Sequence, residues 1–156
     1  MCGCSAYEGL TEDISLPESF SCEMSVKKGE KEYLCSLVKE KENYTVKVNS
    51  PDELKGLTLS LKSGKYICEY EGASFYADDV PDIQRHFFSG IVSALNDFSE
   101  RDDNICDRRG NGYTVKGQGK TGMYELSFDE GLKLSGIKLY NPNVVIDVTN
   151  YTVGSA

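Results

Sequence analysis

The stretch from Phe20 to Glu40, FSCEMSVKKGEKEYLCSLVKE, decides the fold of this chain. Its apolar residues occupy every second position on both sides of Gly29-Glu30, a pattern typical of two half-buried strands joined by a tight turn. If Gly29 stands first in a two-residue loop, as a type II′ turn requires, Met24 lies opposite Cys35. The stretch therefore predicts an antiparallel hairpin with one apolar face.

The same period of two continues along most of the chain. It recurs at 44–48, 57–61, 66–70, 113–115, 124–128 and 144–148. One stretch differs, because the apolar residues of 83–98 recur at three- and four-residue steps, as in an amphipathic helix. The sequence therefore predicts antiparallel strands interrupted by one principal helix.

The sequence also indicates three irregular segments between or within the predicted strands. The helix is predicted to end in the polar stretch from Ser99 to Asn104, which continues as a loop through Gly112. Leu132 and Leu134 are out of phase with the apolar residues after them, which indicates a β-bulge near Ser135-Gly136. Gly119-Lys120-Thr121 resembles the end of a phosphate-binding loop, but a strand pattern follows where that loop needs a helix. A hairpin turn is expected there instead.

Composition narrows the class of protein. The 156 residues suffice for one domain, and the polar, acidic residues 1–19 are predicted to be a tether ahead of a single domain at 20–156. No apolar run approaches the roughly 20 residues of a membrane-spanning helix. The formal net charge of −8 repels phosphate, so nucleic acid is not an expected partner. Attachment to a membrane would need a lipid.

The six cysteines form no CxxC pair. Cys35 and Cys68 occupy inward strand positions, and so does Cys22, which the hairpin register places opposite Leu37. A loop at Lys28-Gly29 would pair Cys22 with Cys35, but it would place a lysine at positive φ. Buried free thiols are therefore expected.

Neither a catalytic site nor a metal site is predicted. The only histidine, His86, has no nucleophile pattern to accompany it. An acidic run begins at Asp102, but its sixth position is Asp107 where an EF-hand loop needs glycine. No cofactor is expected, and the protein is not expected to be an enzyme.

The chain contains ten tyrosines and no tryptophan. Tyr33, Tyr44, Tyr66 and Tyr70 fall on the apolar phase of successive strands. They can form an ordinary core beneath the helix, or they can line an apolar cavity that a single helix leaves unfilled. The alternation of apolar and polar residues does not distinguish these two arrangements.

The chain begins Met1-Cys2-Gly3-Cys4-Ser5, and a small residue followed by cysteine and serine resembles the end of a bacterial lipobox. That resemblance implies a lipid on Cys4 and an extracytoplasmic protein anchored to the bacterial cell membrane. The charged and apolar regions of a secretory signal do not precede it.

Three phrases resemble the LolA-like lipoprotein carrier superfamily: YTVKVNSP at 44–51, LKGL at 54–57 and EYEG at 69–72. Together with the helix at 81–98 and the closing strands, the resemblance spans about residues 20 to 153. It implies an α+β fold, mainly antiparallel β, in which a curved half-barrel sheet carries one principal amphipathic helix on its concave face. It implies no catalytic residue.

The resemblance also implies that the half-barrel binds a lipid or another hydrophobic ligand. A monomer is expected. The residues expected to contact such a ligand are Met24, Tyr33, Leu37, Tyr44, Val46, Leu57, Leu59, Tyr66, Tyr70, Phe75, Phe87, Ile91 and Leu95. An anchored protein-interaction module with a filled core is the alternative.

Overall fold

The structure is a computed structural model that describes residues 14–76, 82–101, 106–140 and 143–154, with 74–76, 82–86 and 106–109 described by their backbone alone. Cys4, most of the predicted tether and the start of the acidic run at Asp102 lie outside the described residues, as does the side chain of His86.

The described residues form eleven strands, one α-helix and one turn of 3-10 helix. The strands are β1 (Ser19–Lys28), β2 (Lys31–Glu40), β3 (Asn43–Ser50), β4 (Thr58–Lys62), β5 (Lys65–Tyr70), β6 (Ala73–Tyr76), β7 (Cys106–Arg109), β8 (Gly112–Gly119), β9 (Gly122–Phe128), β10 (Leu134–Tyr140) and β11 (Asn143–Val153). The helix α1 spans Asp82–Glu100, and the 3-10 turn spans Asp52–Leu54.

All eleven strands belong to one antiparallel sheet in the order β6-β5-β4-β3-β2-β1-β11-β10-β9-β8-β7. The first and last strands pair at its centre, where Met24 lies opposite Val148. The sheet is curved and unclosed, and α1 connects its two edge strands, β6 and β7. The predicted half-barrel with one helix is thus confirmed.

The hairpin of β1 and β2 has the predicted register. Met24 pairs with Cys35 and Cys22 with Leu37, around a two-residue turn whose Gly29 has φ 61°. The thiols of Cys22, Cys35 and Cys68 are buried and free, as predicted. Burial raises the pKa of the Cys22 and Cys35 thiols from an ordinary 9.0 to about 12, and the nearby Glu23 carboxylate adds to the rise at Cys22.

The core lies between the inner face of the sheet and α1. Phe87 stacks on Tyr33 with ring centroids 6.2 Å apart, and Phe88 meets Tyr66 edge-on at 5.7 Å. These aromatic side chains connect the helix to the β1–β6 half of the sheet. On the other half the helix backbone comes closer, since a Cβ added to Gly90 would lie 2.7 Å from Leu139 Cδ1.

The half of the sheet that follows α1 contains one predicted irregularity and one strand that was not predicted. The β-bulge is confirmed by a register shift between Leu134 and Gly136. The prediction of a loop after the helix through Gly112 was wrong at Cys106–Arg109, which forms β7 and pairs with β8 through a turn at Gly110-Asn111. An edge strand bonds on one side only and needs no apolar alternation, so this short polar stretch gave no strand signal.

The packed domain also begins before residue 20. Ile14 is 2% exposed within the core, and Leu16 packs against it. Lys39 is 6% exposed, and its ammonium donates to the carbonyl oxygens of Glu18 at 3.0 Å and Lys41 at 2.7 Å. Residues 14–19, assigned to the tether from their polarity, are therefore attached to the end of the half-barrel.

Candidate functional site

The candidate site is a groove of about 780 Å³ between the C-terminal half of α1 and two hairpin turns. One turn joins β4 to β5 and the other joins β8 to β9 at Lys120-Thr121. The strand pairing at Lys120-Thr121 confirms the predicted hairpin turn in place of a phosphate-binding loop. We call this space the helix groove.

The floor of the helix groove is apolar and partly aromatic. Leu61 of β4, Tyr66 of β5 and Val92 of α1 line it. The edge-on contact between Tyr66 and Phe88 fixes the Tyr66 ring between the groove and the core. Burial raises the pKa of the Tyr66 phenol, and a hydrogen bond with the Ser89 side chain opposes that rise. Tyr66 thus contacts both the groove and the apolar layer beneath the helix.

The polar edge of α1 forms the rim. Ser89, Ser93, Asn96, Asp97 and Glu100 line the groove from the helix, at steps of one, three or four residues. Because three- and four-residue steps keep side chains on one side of a helix, these residues form one stripe beside the apolar face. The rim can therefore offer hydrogen bonds to the polar end of a ligand whose apolar part lies on the floor.

Two buried tyrosines attach the helix to opposite halves of the sheet. The Tyr44 hydroxyl of β3 donates to Asn96 Oδ1 at 2.6 Å, and the Tyr124 hydroxyl of β9 donates to Asp97 Oδ2. Burial raises the pKa of both phenols, that of Tyr124 to about 12, and the Asp97 carboxylate adds to the rise at Tyr124. Both phenols are therefore neutral donors at neutral pH, and they position the rim residues.

The β8–β9 turn closes one side of the groove against the helix. The amide of Thr121 donates to Ser93 Oγ at 3.2 Å. A Cβ added to Gly119 would clash with Ser93 Oγ and would lie 3.0 Å from the Ser93 carbonyl oxygen, so this close approach favours glycine. Nearby, Arg101 Nη1 donates to the carbonyl oxygen of Lys116 at 2.9 Å.

Ten of the thirteen predicted ligand contacts belong to the core. They are buried and comprise Met24, Tyr33, Leu37, Tyr44, Val46, Leu57, Leu59, Phe87, Ile91 and Leu95. Tyr66 lines the helix groove. Tyr70 is half-buried and donates its hydroxyl to the Glu53 carbonyl. Phe75 belongs to β6, and its side chain lies outside the described residues.

Sequence reasoning did not find the rim. Ser93, Asn96 and Glu100 follow one another at helical steps along the border of the apolar face, and that spacing was the available signal. Gly119 in a strand gave a second signal, since glycine there often marks a close backbone approach. Neither signal names the partner that approaches.

Two other depressions are more exposed. One of about 690 Å³ lies between the turns at 110–112 and 129–131, and another of about 540 Å³ lies beside Lys39. Within the described ranges no group of three or more His, Cys, Asp or Glu is placed to hold a metal ion. In the same ranges no helix combines the length and the apolarity needed to cross a membrane.

The sequence matches no protein-family model and no curated protein. The fold is similar to that of an uncharacterized conserved protein from Thermus thermophilus, with a TM-score of 0.56 and 8% identity over 98% of this chain and 86% of the other. The LolA superfamily protein NE2245 from Nitrosomonas europaea aligns with a TM-score of 0.48 and 11% identity over 99% of this chain and 94% of the other. At such identities the likeness concerns the fold alone.

Proposed function

We propose that this protein is a LolA-like envelope lipoprotein that binds a lipid or another hydrophobic ligand without catalysis. In this proposal the ligand enters the helix groove, and Cys4 bears a lipid that anchors the chain to the outer side of the bacterial cell membrane. Two features of the sequence support this proposal. The resemblance to the family rests on the phrases at 44–51, 54–57 and 69–72, and the proposed membrane localisation rests on the lipobox-like start.

The observation that supports ligand binding best is the composition of the helix groove. The apolar side chains of Leu61, Tyr66 and Val92 line the same space as a polar helix edge. Its volume of about 780 Å³ falls within the range of roughly 300–1,000 Å³ found for small-molecule sites. An amphiphile fits this arrangement, since its chain can replace water on the floor while its head stays at the rim.

The predicted ligand contacts that are buried in the core could reach a ligand only if the side chains above them moved. Phe87, Ile91 and Leu95 cover the inner face of the sheet from the helix side. A ligand longer than the groove reaches the sheet residues beneath them only where these side chains move. We therefore expect Tyr66 to contact any bound ligand, and Met24, Leu37 and Val46 to contact a long one.

The proposal is tested with N-phenyl-1-naphthylamine, an uncharged dye that fluoresces in apolar surroundings. Ser89→Trp places an indole in the groove, whereas Ser99→Trp adds the same group at an exposed helix position outside the groove lining. We expect the native chain and Ser99→Trp to bind the dye and Ser89→Trp to lose binding. Equal binding by both variants, with native circular dichroism, argues against this site.

Anchoring is tested separately in a bacterial host that processes lipoproteins. Growth with an alkyne-labelled fatty acid should label the native chain and leave Cys4→Ser unlabelled. Label on both proteins, or on neither, contradicts the role proposed for Cys4.

The alternative function is an anchored interaction module. The depth to which the ten predicted contacts are buried favours it, because a core packed in this way can serve as a rigid support. In that case a partner protein would bind the outer face, where Leu34 and Val145 are exposed. Failure of the dye to bind the native chain would favour this alternative.

A further inference from the structure

The helix groove has an excess of negative charge. Its charged lining groups are the carboxylates of Asp97 and Glu100 and the ammonium of Lys120 on the β8–β9 turn. In the part of the chain that the structure describes, neither carboxylate has an ion-pair partner within 4.0 Å. Asp97 accepts a hydrogen bond from the phenol of Tyr124, but this phenol is neutral and does not cancel the negative charge of the carboxylate.

The end of the helix adds to this negative charge. α1 ends at Glu100, and its last turn contains no basic residue. The unpaired carbonyl groups of a helix C-terminus act as roughly half a negative charge, which favours cations. Arg101 follows the helix, but its guanidinium donates to the Lys116 carbonyl on β8 and adjoins Tyr124. Its positive charge therefore offsets that of Asp97 in part, and Glu100 faces the groove without such a neighbour.

Aromatic surface borders the same space. Tyr66 is half-buried, lines the groove beside Ser89 and Val92, and is held edge-on by Phe88. The face of a tyrosine ring attracts a cation within about 6 Å of its centre, and quaternary ammonium groups are bound in this way. The groove thus combines an aromatic ring, an apolar floor and two carboxylates.

On the premise of the proposed function, we infer that the helix groove selects amphiphiles with a positively charged head over anionic amphiphiles of the same chain length. The alkyl chain of the ligand covers Leu61, Tyr66 and Val92, and its ammonium head lies near Asp97 and Glu100. A carboxylate or sulfate head in that position meets two like charges and the helix C-terminus. Lys120, exposed on a turn, compensates for one of them.

The test compares decyltrimethylammonium, decyl glucoside and decanoate, which share a chain and differ in head charge. Each displaces N-phenyl-1-naphthylamine from the native chain, below its micelle concentration and at low salt. One uncompensated charge a few Å from the head gives about a tenfold preference for the cation over the anion. The preference should shrink at high salt, because the rim is open to solvent.

Matched double variants separate the groove from the charge of the whole protein. Asp97→Asn with Glu100→Gln should abolish the preference, and the amide that replaces the Asp97 carboxylate still offers an oxygen to Tyr124. Glu30→Gln with Glu40→Gln removes two exposed carboxylates elsewhere and should retain it.

The outcomes distinguish the two proposals. Equal displacement by all three ligands, with loss of binding in Ser89→Trp, overturns the charge preference and leaves the proposed function standing. A preference that survives Asp97→Asn with Glu100→Gln overturns it as well. Failure of the native chain to bind the dye overturns the proposed function itself.

Discussion

Raising the pH from 8 to 10 should destabilise this protein through its buried thiols. Cys22 and Cys35 are 4% and 1% exposed, and burial raises their pKa from 9.0 to about 12. In the unfolded chain these thiols ionise near pH 9, whereas in the folded chain they stay neutral. The stabilisation is therefore complete below pH 9 and is lost progressively as the pH rises from 9 towards 12.

The size of the effect follows from the two pKa values. At pH 10 an unfolded thiol of pKa 9.0 is mostly ionised and its folded counterpart is not, which lowers the free energy of unfolding by about 1.4 kcal/mol per thiol. The two thiols together should account for about 3 kcal/mol. Ionisation of the unfolded tyrosines, whose ordinary pKa is 10.0, begins in the same range and adds to this loss, as does ionisation of Cys68, whose pKa is also raised by burial.

Urea unfolding at pH 8, 9 and 10 with a phosphine reductant measures this loss. The control is Cys22→Ala with Cys35→Ala, which is less stable at every pH because it leaves small cavities. It retains the other titrating groups. The free energy of unfolding should therefore fall less steeply with pH in the double variant, and the difference between the two slopes isolates the two thiols. A native chain that keeps its free energy of unfolding from pH 8 to 10, or a double variant with the same slope, would refute the reasoning.

Three further predictions concern single contacts. Gly90→Val should lower the free energy of unfolding by about 1–3 kcal/mol, because its side chain overlaps Leu139; an unchanged urea midpoint would contradict the packing of α1 on β10. Tyr124→Phe should cost about 1 kcal/mol and weaken attachment of the helix at Asp97, which hydrogen exchange of the α1 amides measures; unaltered exchange would contradict that role. Lys39→Met should speed proteolytic cleavage at residues 14–19, because two carbonyls lose their ammonium donor; equal cleavage rates would show that the ammonium does not hold this segment.

The strands and the helix could be predicted because each has a strong local pattern. Phe20, Cys22 and Met24 alternate with polar residues, and Gly29 supplies the turn that sets the register. Such patterns state which side of an element is buried. They do not state whether an edge strand follows a polar loop, and β7 was missed for that reason.

The helix groove could not be predicted in the same way. It exists because the β8–β9 turn and the β4–β5 turn both approach one side of α1. Gly119 allows the first approach, and the Thr121–Ser93 hydrogen bond maintains it, yet this hydrogen bond joins residues 28 positions apart. Contacts between residues so far apart in the chain give only a weak signal in the local sequence pattern.

The distinction between core and cavity depends on side-chain packing. Tyr33 and Tyr66 share the same apolar phase in the sequence. In the structure Tyr33 stacks beneath Phe87, while Tyr66 borders the groove. The difference arises from where α1 crosses the sheet, which the alternation of residues does not specify.

The most direct test of the central proposal is to map ligand contacts by NMR. Amide shifts of the ¹⁵N-labelled chain are recorded while decyl glucoside, an uncharged amphiphile, is added below its micelle concentration. Binding in the helix groove predicts saturable shifts at Tyr66, Ser93 and Thr121, with little change at Leu34 and Val145 on the outer face. Shifts confined to the outer face, or no saturable shift at all, would contradict the proposal that the helix groove holds a hydrophobic ligand.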